Sequence, residues 1–116
     1  VEVMKVLSIN NIEGDIIKDT STYLVKDNKV LKNLVVSSTF LRANKSTNGH
    51  RHIGQEEVYF FIKGHGEMEV DYERFKIKEG DLILIEDGEF HQVFNTGHLG
   101  LYFICIFNGE RYKEEE

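Results

Sequence analysis

His50-Arg51-His52-Ile53-Gly54-Gln55-Glu56-Glu57-Val58-Tyr59-Phe60-Phe61-Ile62-Lys63-Gly64 is the stretch on which the reading of this chain turns. In extended backbone, residues i and i+2 face the same side. His50 and His52 therefore point together, and Arg51 points away. Glu57 opens a run rich in β-branched and aromatic side chains, the composition of a strand, and Gly64 ends it. A third imidazole, His91, lies well downstream on another expected strand. If Glu57 and His91 arrive on neighbouring strands, His50, His52, Glu57 and His91 meet at one point. Three imidazoles and a carboxylate are a full set of protein ligands for a divalent transition metal, and they leave two positions open on an octahedral ion.

Outward from this stretch the chain reads as strand after strand. Downstream, Glu67 to Val70 and Phe75 to Ile77 flank Asp71-Tyr72-Glu73-Arg74 as a hairpin. Glu79-Gly80-Asp81 turns into Leu82 to Ile85, and Asp87-Gly88 turns into His91 to Asn95. Thr96-Gly97 then leads to a last strand from Leu99 to Phe107. Upstream, Leu34 to Leu41 is rich in Val, Thr and Phe, while Met4 to Leu7 and Tyr23 to Val25 are shorter candidates. The polar loop from Asn44 to Gly49 delivers the His-Arg-His triplet. No segment sustains helical periodicity with caps. Short strands separated by frequent turn signals specify an all-β sandwich or barrel.

Composition narrows the function classes. The chain has 116 residues, room for one ordinary core. Its net charge of −6 argues against nonspecific nucleic-acid binding, which needs a basic surface. A single cysteine, Cys105, excludes an internal disulfide and fits a reducing cytoplasm. The longest apolar run, Leu101 to Phe107, is too short for a bilayer helix. Val1-Glu2-Val3-Met4-Lys5 lacks the basic and apolar regions of a signal peptide. Lys113-Glu114-Glu115-Glu116 reads as a solvated end.

The spacing of these residues carries a family resemblance. His50-x-His52-x4-Glu57-x6-Gly64 resembles the first cupin motif, and Gly80-x5-Glu86-x-Gly88-x2-His91-x3-Asn95 resembles the second. Two departures stand out. Glu86 occupies the place of the motif's proline, and Lys45 or Asn44 that of a glycine ahead of the first histidine. Neither is a ligand position. The resemblance implies an all-β jelly-roll barrel of two antiparallel sheets. It implies one cupin domain over 1–116, with motif 1 at about 50–64, motif 2 at about 80–95 and a polar tail at 108–116. Glu56 precedes Glu57, and both strand faces are apolar, so hydrophobicity does not choose between them. The motif's gap to Gly64 selects Glu57 as the carboxylate ligand.

The implied cofactor is a divalent transition metal: Mn, Fe, Ni, Cu, Co or Zn. The leading functional expectation is a metal-dependent enzyme on a small organic molecule, of dioxygenase, decarboxylase or isomerase type. The second is a noncatalytic small-molecule or sugar-binding and sensing module. A fold alone does not select between them. No acid/base partner or other catalytic residue is assigned.

Val58, Phe60 and Ile62, on the face opposite Glu57, expect a cover: a second subunit making a homodimer, or the chain's own N-terminal strands. Tyr59, Phe61, Phe40, Phe94 and Phe103 are candidates to line the cavity, with core packing as the plainer role. Asn95 is expected to satisfy backbone groups. Cys105 is expected to be buried, and His65 and His98 to face solvent in loops. Arg42 could sit at the barrel mouth; Glu67 and Glu69 read as a solvated strand face.

Overall fold

The computed structural model describes residues 5–109. Among them are nine strands: β1 Asp15–Asp19, β2 Tyr23–Asn28, β3 Leu34–Leu41, β4 Glu57–Lys63, β5 His65–Val70, β6 Glu73–Lys78, β7 Leu82–Ile85, β8 His91–Phe94 and β9 Leu101–Asn108. A six-stranded sheet runs β1-β2-β3-β9-β4-β7, and a three-stranded sheet runs β6-β5-β8. Every pairing is antiparallel. This is the jelly-roll architecture that the cupin resemblance implied. No helix among the described residues is long and apolar enough to cross a membrane.

The core lies between the sheets. β9 shows how it is built. Leu101, Phe103, Cys105 and Phe107 turn inward and are buried. They meet Leu41, Tyr59, Phe61, Met68 and Val93. Burying each large side chain contributes about 1.5–3 kcal/mol. The other β9 parity, Tyr102, Ile104 and Ile106, is apolar too and forms a second cluster on the outer face. Leu7 and Ile12 cover that cluster, together with Phe60 and Ile62 of β4. The N-terminal segment therefore covers part of the apolar face anticipated from Val58, Phe60 and Ile62. It does so without forming a strand: Lys5, Val6 and Leu7 carry no ladder, and one isolated bridge joins Ser8 to Asn11. Met4, the first residue of the strand expected there, lies outside the described residues, as does the Lys113–Glu116 tail.

β1 has no counterpart in the expected strands. Its pairing with β2 slips between Ile16 and Lys18, so Asp-Ile-Ile-Lys-Asp shows no clean alternation. Leu99 lies outside β9 and is exposed. Two aromatic residues face the opposite way from expectation. Inward Thr39 forces its neighbour Phe40 outward, and inward Val93 does the same to Phe94, whose ring stacks under the Arg74 guanidinium at 3.8 Å.

Candidate metal centre

The loop between β3 and β4 is tied to β8 by isolated bridges. Ser46 pairs with Phe94, and His50 pairs with His91. The His50 N–H donates to the His91 carbonyl at 3.2 Å, and the His91 N–H returns a bond at 3.0 Å. Backbone pairing thus sets His50 directly beside His91. Residues 50–52 are extended but outside any strand, and the i, i+2 parity still holds. The His50 and His52 rings stack at 4.6 Å, and both meet the His91 ring nearly edge-on. One ring nitrogen from each of the three lies within 4.8 Å of the others. Arg51 points away, donating to the Gly88 carbonyl at 2.9 Å.

Glu57 is buried on the inner face of β4, while Glu56 is exposed. Glu57 Oε1 lies 3.0 Å from His91 Nε2 and 3.6 Å from His52 Nδ1. It flanks the histidine cluster on the His52–His91 side; the group closing within 4.8 Å is the three histidines alone.

Neighbouring groups set the histidine tautomers. His91 Nδ1 lies 3.0 Å from the Glu89 carbonyl, which can only accept, so Nδ1 carries the proton and Nε2 presents a lone pair. His52 Nδ1 lies 3.0 Å from Gln55 Oε1. The Gln55 amide is oriented by its own donation to the Asn108 carbonyl at 2.7 Å, so Oε1 faces His52 as an acceptor. Metal-binding histidines are held by such acceptors at the second nitrogen. Glu57 Oε1 and His91 Nε2 are both buried and neither makes a hydrogen bond. At 3.0 Å this approach is relieved by a proton on Nε2 or by a metal ion held by both atoms. The donor set therefore fits a divalent metal.

The centre opens into a small cavity of about 50 Å³, lined in part by Tyr59 and Phe103 and, from the first strands, by Lys18 and Tyr23. Lys18 Nζ donates to the Tyr23 hydroxyl at 3.2 Å. Of the other aromatic candidates, Phe61 packs in the core, and Phe40 and Phe94 are on outer faces. Arg42 is held away from this cavity by the Thr20 carbonyl at 3.2 Å and Asp19 at 3.8 Å. Glu67 accepts from Arg74 at 2.6 Å on the outer side of β5. His65 is exposed but opens β5 rather than sitting in a turn, and His98 is exposed. Cys105 is buried and reaches the cavity wall.

Asn95 does more than end a strand. Its amide donates to the carbonyls of Leu41, Arg42 and Leu99 at 3.0, 3.1 and 2.8 Å, and its oxygen accepts from Gly97 N–H at 2.9 Å. Both motif departures have local solutions. Glu86 N–H donates to the Glu89 carboxylate at 2.8 Å, a bond that proline cannot make. Asn44 takes φ 62°, the left-handed conformation that asparagine tolerates better than most residues. Lys18 and Gln55 were not singled out from sequence. The bulge hides the first, and the partner of the second lies at Asn108.

A jelly roll that gathers three histidines beside one cavity defines a class of small β-barrel proteins with a candidate metal site. A family model for the cupin domain matches residues 40–107. The chain belongs to the cupin family. It is 28% identical to an uncharacterized protein, MJ1618, of Methanocaldococcus jannaschii over 113 residues, 88% of each chain. It is 32% identical over 66 residues to an oxalate-binding protein of Thermotoga maritima, covering 57% of this chain and 54% of that one. Its fold matches Bacillus subtilis oxalate decarboxylase, studied for its Mn(II) centres, with a TM-score of 0.76 at 22% identity, over 85% of this chain and 29% of that one.

Proposed function

We propose that this chain is a single cupin domain that holds one divalent transition metal on His50, His52, Glu57 and His91 and uses it to bind a small organic carboxylate. The observation that carries the reading is the convergence of one ring nitrogen from each of His50, His52 and His91 within 4.8 Å, beside the buried Glu57 carboxylate. When bound, the metal supplies Lewis-acid attraction for a ligand oxygen at its open positions. Gln55 and the Glu89 carbonyl orient the imidazoles, and Tyr59 and Phe103 exclude water. The Lys18 ammonium supplies a second positive group within the cavity. A volume of about 50 Å³ supports a ligand of very few atoms. The likeness to an oxalate-binding protein and to an oxalate decarboxylase supports a short dicarboxylate.

Metal analysis after reconstitution with Mn, Fe, Co, Ni, Cu and Zn tests the centre; the expected result is one ion per chain, with His52→Ala reducing it. Calorimetric titration with oxalate is expected to show binding to the metal-loaded protein alone. Equal binding without metal refutes the reading.

A catalytic reading is favoured by one observation, the Lys18–Tyr23 hydrogen bond, which places a proton donor in the cavity. It predicts conversion of oxalate to formate and one carbon dioxide, a proton replacing the lost carboxylate on the remaining carbon, and its abolition by Lys18→Met while metal content is kept. We also propose a homodimer, supported by the exposure of Leu82 and Leu84 on edge strand β7, to be checked by light scattering.

A further inference from the structure

The outer face of the six-stranded sheet carries a second cavity, of about 310 Å³. That is the low end of the range typical of small-molecule sites. It lies back to back with the metal cavity across the same strands. Tyr102 faces out where Phe103 faces in, and Lys26 faces out where Val25 faces in.

Strand register explains how the cavity is assembled. Leu24 pairs with Phe40, Phe40 with Tyr102, and Tyr102 with Lys63. One line of side chains thus crosses β2, β3, β9 and β4. Leu24, Phe40 and Tyr102 give an apolar floor. Gly100 lets the Phe40 ring lie against the start of β9, since a side chain there would overlap the ring. Ile12 and the asparagines before it wall the far side.

Charge gives the cavity its chemistry. Lys26 and Lys63 line it, and among the described residues no Asp or Glu does. The chain as a whole is acidic, with a net charge of −6. Neither lysine makes an ion pair among the described residues. Their backbones are three strand spacings and a two-residue offset apart, about 16 Å, so each ammonium guards a different end. Between them the Tyr102 hydroxyl is buried without a well-aligned hydrogen bond. Burial raises its pKa above the usual phenol value, with the neighbouring Ser38 hydroxyl and Ile12 backbone pulling the other way. It therefore stays a neutral donor.

We propose that this cavity is a second binding site, separate from the metal centre, for a small organic acid with an apolar body. Its carboxylate pairs with Lys26 or Lys63, and its body lies on Leu24, Phe40 and Tyr102. A bare inorganic anion would leave the apolar floor uncovered, and a neutral apolar ligand would leave the lysines unmatched.

Octanoate and its neutral counterpart octanamide test this on the metal-loaded protein, followed by methyl and aromatic NMR shifts. Saturable octanoate binding is expected, with shifts at Ile12, Leu24 and Tyr102 and none at Tyr59 or Phe103. Octanamide is expected to bind about tenfold more weakly, and the double variant Lys26→Met/Lys63→Met to weaken octanoate by about three- to tenfold, with the two single variants reporting which lysine the carboxylate pairs with. Both lysines sit at the rim, so these variants should fold, which unchanged metal content and circular dichroism would verify. Absence of saturable binding overturns the proposal, including absence because a second copy covers this face. So do equal affinities for octanoate and octanamide, shifts confined to the metal cavity, or a double lysine variant that binds like wild type.

Discussion

Gln55→Leu separates orientation of the metal centre from stability of the barrel. Gln55 is buried, with its Oε1 3.0 Å from His52 Nδ1 and its Nε2 donating to the Asn108 carbonyl at 2.7 Å. Leucine fills much of the same space and keeps neither contact. Loss of a ligand-orienting partner typically weakens metal binding by about 10- to 100-fold, or about 1.4–2.7 kcal/mol. The Asn108 carbonyl, in a part-buried position, loses a donor. That costs about 1 kcal/mol at the low end for a stranded polar group, or about 4–8 °C in Tm for a domain of this size. Gln55→Glu splits the two effects. It keeps an acceptor at His52 and loses the donor to Asn108. Chelator competition should therefore place its metal affinity within about threefold of wild type. Calorimetry of the metal-free protein should still show the lowered Tm. If Gln55→Leu holds metal as tightly as wild type, His52 is not oriented through Gln55, and the assignment of its Nε2 as the coordinating atom fails.

Three further outcomes follow from single contacts. Glu57→Gln should lose metal yet stabilise the metal-free protein by about 1–2 kcal/mol, because the new amide can donate to His91 Nε2; chemical denaturation of the apo forms checks the sign. Asn95→Ala leaves three carbonyls and the Gly97 N–H without their partner, and should cost about 3–5 kcal/mol in the same assay. The Asp81 carboxylate is held below the usual aspartate value, first by the Lys78 backbone N–H, with desolvation opposing it and the Lys78 ammonium adding a lesser pull in the same direction as the N–H. A lowered folded pKa contributes stability that is complete above the unfolded value and disappears as pH falls through the folded one. The Tm gap between wild type and Asp81→Asn should therefore be constant above about pH 5 and close as pH falls below the usual aspartate value.

The sequence carried the centre's outline because its key relation is local. Two residues apart in extended backbone share a face whether or not a ladder forms, and His50 and His52 keep that parity in a loop. Glycine-marked turns likewise disclosed β4 and β7, and Val, Thr and Phe content disclosed β3, with their observed limits. What stayed hidden depends on distant partners. Gln55 acquires its role from Asn108, and Lys18 reaches the cavity only because a bulge turns β1.

Facing direction was hidden for a different reason. β9 is apolar on both sides, so its alternation does not say which side is the core. The decision rests with the irregular segment around Leu7 and Ile12, which covers one face of the sheet and has no strand pattern to announce it. Phe40 illustrates the consequence: as an aromatic residue in a strand it suits either face. Pairing with Tyr102 places it outside, beside Lys26 and Lys63 rather than beside the histidines. An N-terminal segment that leaves a gap over this line of residues converts an ordinary outer sheet face into a lined cavity, and two lysines at its ends give that cavity a charge opposite to the chain's own.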